Sequence, residues 1–244
     1  MPNVALDITL SLQRGLTSKV ETLMNNAANI GVHGFQADNV IFSEYLGQRD
    51  SHETLSYLND VATVRDLRFG SVEKTGNPFH AALQSAGYFA IETPGGIRYT
   101  RSGAFTKNNQ GILVDANGDP VLSLDGGQIN IPPESTQIMI GPDGSIADEN
   151  GLIAQIGVFT FENEYDVRKV GNTQFETDQA AIPSNDQANI IGGALETSNV
   201  NMMKNMSEMM MVSKAYSLNQ RYIEEQLKLE QKKIDSLAQS APAA

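Results

Sequence analysis

The sequence has no cysteine and no tryptophan, and its three histidines, His33, His52 and His80, are far apart along the chain. Without cysteine the chain can form no disulfide, no thiolate zinc site and no iron–sulfur cluster, and it has no cysteine nucleophile. Three scattered histidines do not indicate a compact metal site. We therefore expect neither a metal nor a cofactor.

Positive charge is also scarce, because 17 lysines and arginines stand against 29 aspartates and glutamates and give a net charge of −12. A duplex-binding protein needs clustered cations to neutralise phosphates, and a surface that docks on anionic lipid needs them as well. No segment approaches the roughly 18 to 20 apolar residues that span a bilayer. We expect no nucleic-acid partner and no direct membrane insertion.

The N-terminus, MPNVALDITLSLQRGL, lacks the features of a secretory signal. It has no basic leader, no continuous apolar run and no small-residue cleavage site. The simplest expectation is a cytosolic protein. Export by a machine that recognises an uncleaved N-terminus is the alternative.

The distribution of glycine and proline divides the chain into parts. Most of both lie between Gly70 and Gly193, whereas Ala194 to the C-terminus contains no glycine. This predicts a turn-rich centre and helical ends. We expect an N-terminal helix within 1–35, a connector at 36–75 with a short helix near His52–Asp60, a β domain at 76–193 and a C-terminal helix within 194–244.

The last fifty residues are predicted to form one long helix that begins near Thr197 or Ser198, either of which can cap it. Its apolar positions recur at helical spacing; they are Met202, Met206, Met209, Tyr216, Ile223, Leu227 and Ile234. Such a pattern is too long for an ordinary globular helix. It indicates a coiled coil or a helix that packs against another chain.

A shorter helix is predicted at the N-terminus, capped at Thr9 or Ser11 and ended by Gly31 and Gly34. Its apolar face consists of Leu12, Leu16, Val20, Leu23, Ala27 and Ile30. The first ten residues alternate with period two, as a strand would, but we expect a frayed tail that leads into the helix. Neither terminal helix is stable alone, since helices in water are stabilised chiefly by burying an apolar face. We therefore expect the two to pair.

Methionines are concentrated in the C-terminal helix, where six of nine lie between Met202 and Met211. They cover more than half of the helix circumference, and only one stripe can face the N-terminal helix. Methionine suits surfaces that pack against non-identical neighbours, because its side chain adapts its conformation. A plain helical core is the other interpretation, but we favour self-assembly or partner binding.

The centre of the chain alternates short apolar runs with turn dipeptides such as Gly95-Gly96 and Asn117-Gly118, which predicts an all-β domain. The predicted fold class is α+β. A mainly-β central domain, resembling a bent sheet or sandwich, is combined with long N- and C-terminal helices that form a coiled-coil-like helical domain.

Motifs for catalysis and metal binding are absent or weak. Asp115-Ala-Asn-Gly-Asp119 starts like a calcium loop, but the twelfth position is Gly126 and the flanks are strands, so an Asn-Gly turn is favoured. No nucleophile or phosphate-loop motif occurs. Glu162 and Glu164 share a face if extended, yet nothing places a desolvating wall beside them. We expect no catalytic residues.

Three segments, in this order, resemble motifs of the flagellar basal-body rod protein family. NNAANIGVHGF (25–35) resembles its asparagine-rich N-terminal signature. TGNPFHAALQSAGYFAIETPGGIRYTRSGAFTKNNQGILVDANGDPVL (75–122) resembles the rod and hook core, and ALETSNVNMMKNMSEMMMVSKAYSLNQRYI (194–223) resembles the C-terminal helix. The resemblance covers nearly the whole chain.

The resemblance assigns roles to matching residues. Gly34 and Phe35 complete the N-terminal signature, in which His33 stands where the family has threonine. Glu196, Ser198 and Val200 belong to the entry of the C-terminal helix, and Ala215 to its packing face. The candidate assembly-interface residues are Leu16, Leu23, Asn25, Asn26, Asn29, Gly34, Phe35, Leu195, Asn199, Met202, Met206, Met209, Tyr216, Asn219 and Ile223.

The resemblance implies a non-enzymatic structural subunit that polymerises in the proximal rod and transmits torque through the periplasm. Its implied partners are copies of itself, other rod proteins and the flagellar type III export apparatus, which would export it to the basal body without a cleaved signal. Two alternatives remain. One is another axial flagellar protein, of the distal rod or hook type. The other is a ligand-binding β domain with helical appendages, which requires a concave polar site in 76–193.

Overall fold

The computed structural model of the chain describes residues 4–49, 53–135, 137–171 and 173–240. Within these residues the protein is mainly β, with one long helix near each terminus. Helix α1 covers Val4–Ala28 and helix α2 covers Met202–Ser240. The α+β class predicted from the sequence is confirmed at this level. Neither helix is long and apolar enough to cross a membrane, as far as the described residues show.

Both helices begin at positions that differ from the predictions. Helix α1 is already helical at Val4, so the frayed tail over the first ten residues is wrong, and so is the strand alternative from Val4 onward. Helix α2 begins at Met202 rather than near Thr197 or Ser198. The reason is tertiary, because Thr197 donates its backbone N–H to the carbonyl of Ser71 and stays in the β structure.

The apolar faces of the helices also differ in part from the predictions. Leu23 is buried, but Leu12 and Ile30 of the predicted α1 face are exposed. On α2, Met202, Met206 and Leu227 are exposed, whereas Met209, Tyr216 and Ile223 are half-buried. The side chain of Ile234 lies outside the described part. A pattern of apolar spacing gives a face of the helix, but not the position of its partner along that face.

Seventeen strands occur in the described residues, most of them short. In chain order they are β1 Asp38–Arg49, β2 Glu53–Arg65, β3 Val72–Lys74, β4 Ala81–Leu83, β5 Tyr88–Thr93, β6 Gly96–Thr100, β7 Thr106–Lys107, β8 Leu113–Val114, β9 Met139–Ile140, β10 Ser145–Asp148, β11 Gly151–Gln155, β12 Val158–Thr160, β13 Arg168–Lys169, β14 Gln174–Glu176, β15 Ile182–Pro183, β16 Ile190–Gly192 and β17 Ala194–Glu196.

The connector forms β structure. Strands β1 and β2 make a two-stranded sheet, so the short helix predicted near residues 52–60 is wrong from Glu53 onward, and His52 lies outside the described residues. The sequence from Glu53 to Arg65 is rich in threonine, valine, tyrosine and leucine, of which the β-branched and aromatic residues favour extended backbone.

The largest sheet is antiparallel and has six strands in the order β13-β14-β6-β5-β12-β15. Its centre is the hairpin of β5 and β6, which turns at Pro94-Gly95 with Thr93 opposite Gly96. Alternate residues of a strand point to opposite faces. Phe89 and Ile91 accordingly belong to one buried cluster, and Tyr88 and Ala90 to another.

Besides the six-stranded sheet, the described residues form a three-stranded antiparallel sheet, β11-β10-β9, and four two-stranded sheets, one of which is the β1-β2 sheet described above. Strand β3 pairs with β17, and strand β4 pairs with β16. The strands just before α2 are therefore hydrogen-bonded to strands that begin near residue 72. The larger buried cluster combines residues of β4, β5, β8, β10, β12 and β16 with residues of the segments between strands; they are Ala81, Leu83, Phe89, Ile91, Phe105, Leu113, Val121, Ile129, Ile131, Ile138, Ile146, Ile156, Val158 and Ile190.

Contacts divide the chain into two compact units. The helical unit contains α1 up to Ala27, residues 38–64 and α2. The β unit contains residues 28–37 and 65–201. The four-part division of the sequence stays a prediction, because these units group segments by contact rather than by their order in the chain.

Candidate assembly surfaces

Asn199 connects three segments of the β unit. Its Oδ1 accepts a hydrogen bond from the backbone N–H of Ala37 at 2.7 Å. Its Nδ2 donates to the carbonyl oxygens of Asp66 and Arg68 at 2.9 and 2.8 Å. Its backbone N–H donates to the carbonyl of Phe35. Residues 35–37, 66–68 and 199 are therefore held together by the side chain and backbone of one residue.

Gly34 and Phe35 fit the same junction. Gly34 has a φ of +69° and donates its N–H to the carbonyl of Glu196 at 2.9 Å. A Cβ at Gly34 would come within 2.4 Å of the backbone nitrogen of Ser102, so only glycine fits this turn. Phe35 is buried, and the ammonium of Lys169 lies 4.0 Å from the centre of its ring.

A buried ion pair lies beside the junction. Nε of Arg101 donates to Oε2 of Glu196 at 2.9 Å, and both side chains are almost completely buried. The other guanidinium nitrogens donate to the carbonyls of Leu83, Ser85 and Gly87. Oε1 of Glu196 accepts from the N–H of Gly70 at 2.9 Å. Both charges are thus fully hydrogen-bonded, which a buried pair requires.

Arg65 links the end of β2 to this region of the β unit. Its guanidinium donates to Oε1 of Gln36 at 3.0 Å, to the hydroxyl of Tyr88 and to the carbonyl of Glu164, and it lies 4.6 Å from the ring centre of Phe175. Burial raises the pKa of the Tyr88 hydroxyl, and the nearby Arg65 opposes that shift. Tyr88 therefore remains a neutral donor and acceptor at neutral pH.

The asparagines of the N-terminal signature have separate roles. Asn26 is buried in the helical unit, where its side chain accepts from the N–H of Asp38 and donates to the carbonyl of the same residue, at 2.9 and 2.7 Å. Asn29 is buried in the β unit, and its carbonyl accepts from the N–H of Val32. Asn25 is exposed.

The predicted site residues therefore fall into two groups. The structure brings together Gly34, Phe35 and Asn199 inside the β unit, with Leu195 buried on β17 nearby in the chain. Because these side chains are occupied by contacts within one chain, they shape the subunit itself. Their role at an interface between subunits stays a prediction. The other predicted residues lie on the two helices, apart from the signature residues Asn25, Asn26 and Asn29 described above.

Polar side chains of α2 fix its register against α1 in the helical unit. Nδ2 of Asn205 donates to the carbonyl of Leu23 at 2.8 Å, and Nδ2 of Asn219 donates to the carbonyl of Thr9 at 2.9 Å. Between them, Nε2 of Gln13 donates to the hydroxyl of Tyr216. As the residue number rises on one helix it falls on the other, so the helices run antiparallel.

The buried positions of α2 follow two lines with heptad spacing, of which the apolar pattern of the sequence identified only the half-buried one. Asn205, Val212 and Asn219 are buried at steps of seven residues. Met209, Tyr216 and Ile223, four residues after each, are half-buried and complete the face. Counting back from Asn219 in steps of seven reaches Val212 and then Asn205, but a search for apolar residues does not include the two asparagines at the ends of this line.

Much of the apolar surface of α2 is exposed. One stripe consists of Met203, Met206 and Met210, and Met203 is 80% exposed. A second stripe, on the other side of the buried face, consists of Met211, Leu218, Tyr222 and Leu229. Contiguous apolar surface of this kind marks an interaction site. Among the described residues, nothing in the chain covers these two stripes.

One face of α1 lines a shallow groove of about 430 Å³ in the helical unit. Six described residues line it at helical spacing; they are Leu10, Gln13, Arg14, Thr17, Ser18 and Glu21. The groove is open and runs along one helix. Its shape fits a second helix or a row of side chains from another strand better than it fits a small ligand.

The two motifs considered above as possible calcium-binding and acid–base sites lie in turns or loops of the structure. Oδ1 of Asp115 accepts from the N–H groups of Asn117 and Asp119, and Gly118 has a φ of +90°, so the predicted Asn-Gly turn is confirmed. Glu162 and Glu164 follow the end of β12, outside the strands. Among the described residues, no group of three metal-ligating side chains is close enough to hold an ion.

His80 is held in its neutral form. Oδ1 of Asn77 accepts from the N–H of Phe79, so its Nδ2 points to Nε2 of His80 at 3.2 Å and donates to it. Nδ1 then carries the proton and donates to the hydroxyl of Thr75 at 2.7 Å. Burial lowers the pKa of His80, and the neighbouring His33 lowers it further.

Comparisons with known proteins agree with this arrangement. Residues 82–147 match the family described as "Flagellar hook protein FlgE/F/G D1 domain", and residues 191–236 match "Flagellar basal body rod FlgEFG protein C-terminal". The flagellar basal-body rod protein FlgF of Mesorhizobium japonicum is 32% identical over 87% of this chain and 88% of its own length. FlgF of Rhizobium meliloti is 31% identical over 86% and 88% of the two chains. The rod protein FlgG of Bacillus subtilis is 29% identical over 88% and 91%.

The chain belongs to the family of flagellar basal-body rod proteins. It is a structural subunit of the basal body and not an enzyme. Within the family it is FlgF-like, because FlgF proteins are about 30% identical to it over most of the chain.

Proposed function

We propose that the chain polymerises in the proximal rod, between other rod subunits, and transmits torque through the periplasm. The observation that carries the proposal is the exposed apolar surface of α2. An isolated helix pair has no physical reason to expose Met203, Met206 and Met210, because covering them would remove apolar area from water. In a rod, neighbouring helices cover them.

The junction in the β unit supports a mechanical role. Asn199 and the pair Arg101–Glu196 hold the entry to α2 by hydrogen bonds to three other segments. Side chains fixed at several points transmit displacement without slipping, because packed interiors are stiff. Torque applied to the helical ends would therefore pass into a rigid β unit.

Export through the flagellar type III apparatus, without a cleaved signal peptide, is part of the proposal. The absence of cysteine supports it, because a chain that is threaded unfolded through a channel cannot rely on disulfides formed beforehand. A pulse-chase experiment in cells lacking the export ATPase should retain the full-length chain inside the cell. Processing to a shorter mature chain by signal peptidase would contradict this route.

The test of assembly replaces Met203, Met206 and Met210 together by glutamine. Exposed substitutions cost little stability, within about 0.5 kcal/mol each, so the subunit should fold normally. It should be recovered at less than about one tenth of the wild-type amount in purified basal bodies, and cells should lose motility, because the apolar contact area is lost.

The matched control replaces Ser207, Lys214 and Arg221, which form a polar line beside the methionines, by glutamine. This variant should assemble and support motility. Wild-type recovery of the methionine variant in basal bodies would contradict assembly through this surface. A small molecule that binds residues 76–193 and raises the melting temperature of the protein would instead favour the ligand-binding alternative.

A further inference from the structure

The two helices do not end together. Asn205 is level with Leu23 and Asn219 with Thr9, so Val4, the first residue of α1, is level with Glu224. Helix α2 continues to Ser240. Residues 225–240, here called the overhang, therefore extend about 24 Å beyond the described end of α1.

The overhang continues the face that α1 covers in the rest of α2. Met209, Tyr216 and Ile223 follow each other at seven-residue steps, which drift by about 20° per heptad on a straight helix. Leu227 follows Ile223 after four residues, and this step returns it to the line of Met209. Leu227 is 50% exposed. The overhang thus carries a continuation of an established helix–helix face, and no described residue covers it.

The groove of α1 offers a matching surface on the same molecule. It extends from Leu10 to Glu21, about 17 Å along the helix, which is comparable to the described part of the overhang. The two surfaces cannot meet within one chain. Ser18 in the groove is level with Met210, whereas Gln231 in the overhang lies 21 residues further along the same rigid helix, about 32 Å away.

Charges select a register between these surfaces. Arg14 and Glu21 are seven residues apart on α1, and Lys228 and Asp235 are seven residues apart on the overhang. Two antiparallel helices place Arg14 opposite Asp235 and Glu21 opposite Lys228 at the same time. Within the chain, Arg14 is instead level with Lys214. None of these residues takes part in an ion pair among the residues that the structure describes.

We propose that the overhang of one copy docks antiparallel along the α1 groove of a second copy of this chain. A contact between two different surfaces of identical subunits generates a ring if the rotation closes and an open helical array if it does not, and a displacement along the helix axis prevents closure. The two copies would be displaced by three heptads, about 32 Å along the helix axis. The inference rests on the proposed rod function and adds the surfaces, the orientation and the register.

The absence of cysteine makes disulfide trapping a direct test. Two copies with different affinity tags, one with Ser18→Cys and one with Gln231→Cys, are expressed together in motile cells, and basal bodies are purified and oxidised. A disulfide-linked dimer that carries both tags is expected. The same two cysteines placed in one chain should give no intrachain disulfide, because a disulfide needs Cα atoms within about 7 Å.

Charge exchange tests the register independently. Arg14→Glu in the Ser18→Cys copy, or Asp235→Arg in the Gln231→Cys copy, should each lower the yield of the mixed dimer about five-fold or more, because like charges then meet. The two reversals together should restore it. Lys233→Glu, which lies about 160° around the helix from both Gln231 and Asp235, serves as the matched control and should leave the yield unchanged.

The outcomes separate this inference from the proposed function. The pair Thr160→Cys and Ile182→Cys in one chain reports whether oxidation works, because these residues lie directly opposite each other on antiparallel strands, where Cα atoms are about 4.5–5.5 Å apart. If that pair forms a disulfide and the chain is present in basal bodies, yet no mixed dimer appears, the overhang contact is wrong while the rod function stands. If the wild-type chain is absent from basal bodies, the proposed function itself fails. Loss of the mixed dimer without rescue by the double reversal would overturn the proposed register.

Discussion

At the scale of single residues, this protein depends on buried polar side chains more than on any catalytic group. Among the described residues, every buried side-chain nitrogen and oxygen has a hydrogen-bond partner. Asn199 and Arg101 each reach segments that are distant in the sequence. Buried polar groups are costly when unpaired, so such networks favour one arrangement of the backbone over others.

The pair of Arg101 and Glu196 gives a prediction at this scale. Arg101→Met should lower the free energy of unfolding by about 3–5 kcal/mol, because it leaves the Glu196 carboxylate buried without its cation. The double variant Arg101→Met, Glu196→Leu should lose much less. Urea unfolding followed by the near-ultraviolet signal of the β unit measures both. A double variant as unstable as the sum of the two single variants would contradict a charge-pair explanation.

At the scale of elements, polar residues determine the register of the helix pair. Asn205 and Asn219 are fourteen residues apart and donate to carbonyls that are also fourteen residues apart on α1. An asparagine at a core position of a helix pair fixes register at some cost in stability. The apolar residues around them define a face, but they would tolerate a shift by one turn.

Asn219→Asp should therefore destabilise the helical unit by about 2–4 kcal/mol. The substitution keeps the size of the side chain but replaces the donor by a carboxylate oxygen that faces the carbonyl of Thr9. Asn219→Leu should cost less than about 1 kcal/mol, since it buries no unpaired polar group. Thermal unfolding monitored by the helical signal at 222 nm compares the two variants. Gln220→Glu, which is exposed, is the control and should have no effect.

At the scale of the whole molecule, stability should depend on pH through His80. Its pKa is lowered by burial and by His33, so the unfolded chain binds the proton more readily than the folded one. The stabilisation is complete above the ordinary pKa of about 6.5 and is lost as pH falls through the lowered value. The loss should stay below about 1 kcal/mol, because the ring is only partly buried.

Unfolding in urea at pH values between 5 and 7 measures this effect. His33→Thr should reduce the pH dependence, because it removes one cause of the lowered pKa. His80→Gln should remove the contribution of His80 altogether. An unchanged slope between pH 5 and 7 in His80→Gln would show that another group is responsible.

Several parts of the fold could be predicted from the sequence because their cause is local. The β5–β6 hairpin follows from Pro94-Gly95 between alternating residues, and the Asp115–Asp119 turn from an aspartate that caps its own loop. The strand from Glu53 was missed, because its composition permits either helix or strand and only pairing with β1 selects one. The start of α2 was missed, because β17 and Ser71 hold the residues before it.

The sequence by itself determined the class of this protein, through three motifs in order, the long amphipathic ends and the lack of cysteine. Only the tertiary structure decided what those motifs do. Asn199, Gly34 and Phe35 meet inside one subunit, whereas the exposed methionines and the overhang of α2 remain for other subunits. The reason is physical: spacing along a helix defines a face, but the register between two helices depends on hydrogen bonds across them, which no single segment contains.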